Sequence, residues 1–149
     1  MKKLILALFL GTNLLMLQGQ SFDFQYDHYS FDVKDLATVG AFYAQVLQLE
    51  EIPHPTGDKG FRWFKVHGNS QLHLIGKDSV AYDHPKSVHL CLATQNLDKL
   101  IVHLEANGIP YWDWPGKENA VTNRADGVRQ IYIKDPENNW VEINTSVHL

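Results

Sequence analysis

Apolar and polar residues alternate over residues 24–33, the period of a strand with one covered face. Asp35 then stands where a helix N-cap belongs, because Leu36, Val39, Phe42, Tyr43, Val46 and Leu47 recur at intervals of three and four. Three strand-like pieces follow at 49–52, 61–66 and 71–75; Pro53 and Pro55 end the first, and the turn at 67–70 joins the other two. The order then returns. Residues 88–94 alternate, Asn96 caps a helical face of Leu97, Leu100, Ile101 and Leu104, and Asn107-Gly108 stops it. Further strands are expected at 111–114, 128–134 and 140–144. The polar stretch 115–127 reads as a mobile loop, and 135–139 as a tight hairpin turn.

Laid over each other without a gap, the halves match His28 with His89, Asp35 with Asn96 and Leu36 with Leu97. This is the pattern of a duplicated βαβββ unit. It predicts one α+β domain over 21–149, built from modules 22–78 and 86–149 whose sheets form an open, curved, mixed β-barrel. Side chains alternate across a strand. His28 therefore shares a face with Ser30 and Asp32, and His89 with Cys91 and Ala93, while their neighbours are apolar. In the last strand of each half, apolar Leu72 and Leu74, and Val141 and Ile143, leave Gln71 and His73, and Glu142, on the opposite face. If the two sheets curve together, His28, His89, Glu142 and either Gln71 or His73 converge. Imidazoles with one carboxylate suit Zn²⁺, Ni²⁺, Fe²⁺ or Mn²⁺ and are too nitrogen-rich for Ca²⁺ or Mg²⁺.

Composition narrows the partners. The 149 residues, 44% hydrophobic and 20% charged, suit one globular domain and exclude a disordered or fibrous chain. Thirteen Lys and Arg against seventeen Asp and Glu give −4, without the basic stripe that a nucleic acid requires. Lys2 and Lys3 before the apolar run 4–17 have the build of a secretory signal peptide over residues 1–20, with Gly19 near the cleavage site. The run is short and interrupted at Thr12 and Asn13. An exported protein, periplasmic or secreted and not inserted in the membrane after cleavage, is therefore expected over a transmembrane anchor. Cys91 is the single cysteine, so no intrachain disulfide forms.

Five stretches carry a resemblance to the vicinal oxygen chelate superfamily, which includes glyoxalase I, the extradiol ring-cleaving dioxygenases and the fosfomycin-resistance enzymes. They are Asp27-His28 ahead of 33–36, the run 42–47, Gln71-Leu72-His73-Leu74-Ile75, Val88-His89-Leu90, and 132–142 ending in Glu142. The resemblance covers the chain from about residue 24 to 145. The resemblance implies a divalent metal on His28, His89 and Glu142, with His73 as the fourth ligand unless Gln71 or water takes that place. It further implies a small substrate bound through two adjacent oxygens, Glu142 as the catalytic group that moves protons, and a homodimer. The nearest activity is that of glyoxalase I, a lactoylglutathione lyase-type isomerase. Gln48 and Asn138 stand where the family usually has glycine, and Gln71 or His73 where glyoxalase I commonly has glutamate.

Other readings compete. Two histidines and one glutamate are also the donor set of extradiol iron enzymes, and fosfomycin-resistance transferases and metal-free binding proteins share the resemblance. Export weighs against a glutathione-dependent isomerase, because that thiol is chiefly cytoplasmic. Arg129 is the arginine expected in the pocket, ahead of Arg62 and Arg124. Trp112 and Trp114 are expected to pack under the outer strand, with an aromatic wall over the pocket as the other reading. His54, His84, His103 and His148 are expected in solvent.

Overall fold

In the computed structural model the described residues are 25–80 and 83–147. Residues 1–20, Phe24 and His148, each given an expectation above, lie outside them. Each half of the remaining chain folds as a βαβββ module. The first contains β1 (His28–Val33), α1 (Leu36–Gln45), β2 (Glu50–Ile52), β3 (Phe61–His67) and β4 (Ser70–Gly76). The second contains β5 (His89–Ala93), α2 (Leu97–Ala106), β6 (Thr122–Asn123), β7 (Arg129–Lys134) and β8 (Trp140–Asn144). Their mixed sheets have equivalent orders, β1-β4-β3-β2 and β5-β8-β7-β6, with the first and last strand of each module parallel neighbours.

Local chemistry explains most of the boundaries. Asp35 caps α1 by accepting from Thr38 N at 2.9 Å and Thr38 Oγ1 at 2.7 Å, and these bonds hold its carboxyl below the usual range. Gln48 and Asn138 take φ of 55° and 67°, the left-handed conformation that glycine enters most easily. Asp135 Oδ1 accepts from Glu137 N and Asn139 N, closing the β7–β8 turn.

One expected strand moves. Residues 111–114 form only isolated bridges, Trp112 to Tyr132 and to Glu118, and β6 lies instead inside the stretch read as a mobile loop. The reason is Asp113, whose Oδ1 accepts from Gly116 N at 2.8 Å and Lys117 N at 2.7 Å, turning the chain directly after Trp114. Trp114 N donates to Thr122 Oγ1 at 2.7 Å, and β6 pairs with β7, so the stretch is fastened to the sheet.

The apolar faces of both sheets, α1 and α2 share one core. Phe31, Val33, Tyr43, Phe64, Leu72 and Leu74 come from the first module, and Leu90, Leu97, Leu104, Ile131, Val141 and Ile143 from the second. The other face of each sheet turns away from it. Polar groups tie the modules together at the start of α1. Glu137, in the β7–β8 turn, accepts from Lys34 N at 2.7 and 2.9 Å and from Asp35 N at 2.6 Å. Buried Tyr43 donates to Asp135 Oδ2 at 3.3 Å, and burial pushes the Asp135 carboxyl up. Glu137→Ala leaves two backbone N–H groups of the first module without their acceptor, and water replaces it in part. Urea denaturation is expected to show a loss of about 1–3 kcal/mol, and an unchanged midpoint refutes the strap.

Candidate metal centre

In the second module, β5 and β8 run parallel with Cys91 opposite Glu142, which sets His89 diagonal to that carboxylate on the free face. His89 Nδ1 lies 2.7 Å from the Lys86 carbonyl, which can only accept, so Nδ1 carries the proton. Nε2 then faces Glu142 Oε2 at 3.1 Å. A shared proton or a shared metal ion accounts for so close an approach of these two atoms. Ligands about 2.1 Å from one cation at an angle near 90–109° stand roughly 3.0–3.4 Å apart, so this pair fits a divalent metal. His89 Nδ1 on a backbone carbonyl is the usual orientation of a metal-binding imidazole.

Glu142 is 6% exposed and fully engaged. Tyr132 OH donates to its Oε2 at 2.5 Å and Asn144 Nδ2 to its Oε1 at 2.8 Å, while Gln130 Nε2 donates to the Tyr132 oxygen at 3.1 Å. Burial would raise the Glu142 carboxyl. The bonds from Tyr132 and Asn144, with His89 beside it, outweigh burial and hold it below its ordinary value. Burial and the carboxylate push the Tyr132 phenol up, so it stays a donor at neutral pH. Burial, then Glu142, push the Cys91 thiol up to about 12, so it is inert as a thiolate.

In the first module, His28 pairs across the ladder with Gln71 and Ser30 with His73. The His28 and His73 rings stack at 4.2 Å, and His73 stacks on Trp63 at 3.9 Å. His28 Nδ1–H donates to Asp27 Oδ2 at 2.5 Å, leaving Nε2 as a donor atom for a cation in the carboxylate–histidine–metal manner. His73 Nε2–H donates to Gln71 Oε1 at 2.8 Å. Burial, then the neighbouring His28, lower the pKa of His73 and favour its neutral form.

The four expected ligands thus form two pairs, His28 with His73 and His89 with Glu142, one on each sheet. Among the described residues no group of three His, Cys, Asp or Glu is close enough to hold one ion. Tyr132, Asn144, Lys86 and Asp27 complete these half-sites; the sequence offered Asp27 only as the neighbour of His28 in its motif, and gave the other three no role. Tyr132 follows from parity on β7, but only once β7 is known to place it opposite Glu142.

Several other expectations change. Arg129 is not at the site: it shares the helix-side parity of Ile131 and Ile133, and binds Asp98 of α2 at 2.7 and 2.9 Å. His54 is half-buried between the Phe61 and Trp63 rings, and His103 Nε2 donates to Val46 O at 3.0 Å, so neither is a plain solvent group. Trp112 meets Trp140 edge-on at 5.6 Å, and Trp114, 49% exposed, leans on Tyr132 at 5.7 Å, so the pair borders the second half-site. Lys86 Nζ fastens this border by donating to Asp113 O at 3.0 Å and Trp114 O at 3.1 Å beneath the Tyr132 and Trp140 rings.

Solved structures share this architecture. A glyoxalase family protein from Bacillus anthracis is 22% identical, with a TM-score of 0.70 over 86% of this chain and 99% of that one. Lactoylglutathione lyase from Agrobacterium tumefaciens is 23% identical, with a TM-score of 0.62 over 82% of this chain and 93% of that one. The oxidase ChaP-H2 is 20% identical, with a TM-score of 0.65 over 84% and 95%. At these identities the likeness establishes the fold. Residues 25–143 match the family itself, and the chain belongs to the Glyoxalase/Bleomycin resistance protein/Dioxygenase superfamily.

Proposed function

We propose that the protein is a divalent-metal-dependent enzyme of the glyoxalase I type, a lyase or isomerase that holds a small substrate through adjacent oxygens. In this reading it acts as a homodimer outside the cytoplasm, after residues 1–20 are removed. The observation that carries it is the approach of His89 Nε2 to Glu142 Oε2 at 3.1 Å, with Lys86 O holding His89 Nδ1, Asn144 holding Glu142 Oε1 and Tyr132 donating to the same Oε2. His28 and His73 from a second copy complete the donor set, which accounts for two half-sites on faces that turn away from a common core.

The bound cation would supply Lewis acidity toward the substrate oxygens. The chain supplies the rest. Glu142 takes a proton from one substrate carbon and returns it to the next, and Tyr132 and Asn144 keep that carboxylate aimed. Asp27 fixes the His28 ring, and Trp112, Trp114 and Trp140 limit water on one side.

One observation favours a second reading, an extradiol-type dioxygenase. His73 Nε2–H is engaged by Gln71 and its ring is sandwiched between His28 and Trp63. Withdrawing it leaves His28, His89 and Glu142, the two-histidine, one-carboxylate set of non-haem iron. All three arginines are ion-paired, Arg62 to Glu51, Arg124 to Asp126 and Arg129 to Asp98, which removes the obvious clamps for a dianionic thiol substrate.

Elemental analysis of protein reconstituted with zinc, nickel or iron is expected to give about one metal per chain, weakened at least ten-fold by His89→Ala. Full retention in that variant refutes the site. Hemithioacetal turnover with zinc or nickel supports the isomerase, and catechol cleavage that requires oxygen-sensitive iron replaces it with the dioxygenase.

Mixing His28→Ala chains with Glu142→Gln chains tests the assembly. In a twofold dimer that joins half-sites from two copies, random re-pairing restores one intact site in the heterodimer, about a quarter of wild-type metal and activity. No recovery despite subunit exchange, followed by mass spectrometry, places all ligands in one chain.

A further inference from the structure

A cleft of about 460 Å³ opens between the modules at the end of α1, outside both half-sites. Its size lies within the roughly 300–1,000 Å³ of ordinary small-molecule sites. The floor is apolar, made by Val46, Leu49, Val66, Leu92, Leu100 and Ile143 from both modules. The rim is polar, with Gln48, Asn96, Lys99 and His103, and no Asp or Glu lines it. In a chain of net charge −4, a carboxylate-free rim around an apolar floor has a definite preference.

We propose that this cleft binds a small free monocarboxylate with an aliphatic body. The apolar tail replaces water against the six floor residues, and the carboxylate meets Lys99. Lys99 has no ion-pair partner among the described residues, and Asp98 beside it is neutralised by both nitrogens of Arg129.

The seam is built to stay open here. Glu137 ties the modules at the start of α1, roughly 15 Å away along a ten-residue helix. At the cleft, among the described residues, the polar tie is the bond from His103 Nε2 to Val46 O. Gln48 holds φ at 55° on the rim, a strained conformation for a side-chain-bearing residue. The proposal does not depend on the metal reading, since none of the four candidate ligands lines the cleft.

Calorimetric titration of the full chain with octanoate is the test, with octanol and octylamine as probes of the same tail. Octanoate is expected to bind one per chain, with octanol and octylamine at least ten-fold weaker. Lys99→Glu, an exposed substitution compatible with folding, is expected to weaken octanoate at least ten-fold, and His89→Ala to leave it within two-fold. The absence of saturable octanoate binding, equal binding of octanol, indifference to Lys99→Glu, or loss of binding in His89→Ala each overturns the proposal.

Discussion

Each sheet has two faces, and one of each is used up in the same core. Phe31, Leu72 and Leu74 on one sheet, and Leu90, Val141 and Ile143 on the other, pack with the two helices into a single apolar interior. The hydrophobic effect makes that burial the dominant favourable term. It also decides the chemistry, because residues of opposite parity are held on faces that point away from the shared centre. His28 and His73 stand on one such face and His89 and Glu142 on the other. The two pairs of candidate ligands therefore stand on separate faces of the domain, which is why the proposed metal site draws on two copies.

The half-sites differ in how firmly they are held. Glu142 sits in a closed network in which Gln130 positions Tyr132, and Tyr132 and Asn144 position the carboxylate. His89 is fixed from behind by a backbone carbonyl. Such fully satisfied polar networks in a low-dielectric setting favour one arrangement over its neighbours. On the other sheet, His28 is fixed by an exposed carboxylate and His73 by ring stacking and an amide. The second module is a preorganised pair, and the first an adaptable one.

The seam between the modules has the same asymmetry. Turn chemistry around Asp135 presents Glu137 to the backbone at the start of α1, which joins the halves through charge-assisted hydrogen bonds. The far end of the seam, where α1 stops at Val46 and Gln48 turns the chain, retains an apolar cleft with Lys99 on its rim. Rigid coupling at one end and open space at the other leave the proposed cleft apart from the faces that carry the four candidate ligands.

Duplication, the Asp35 cap and the parity of His28, His73, His89 and Glu142 were legible in the sequence, because they depend only on periodicity and on matching two halves of one chain, whereas Asn96 stands at the start of α2 without a side-chain capping bond. Parity also held the answer for Arg129, which shares the side of Ile131 and Ile133, although nothing local named Asp98 as its partner. Tertiary structure alone decided the rest. The place of β6 depended on the Asp113 turn, and the companions of Glu142 on ladder register. The separation of four candidate ligands into two pairs depended on how the modules pack. Periodicity assigns a residue to a face, but the relative direction of two faces is set by the core between them, and that core forms from contacts distant in the chain.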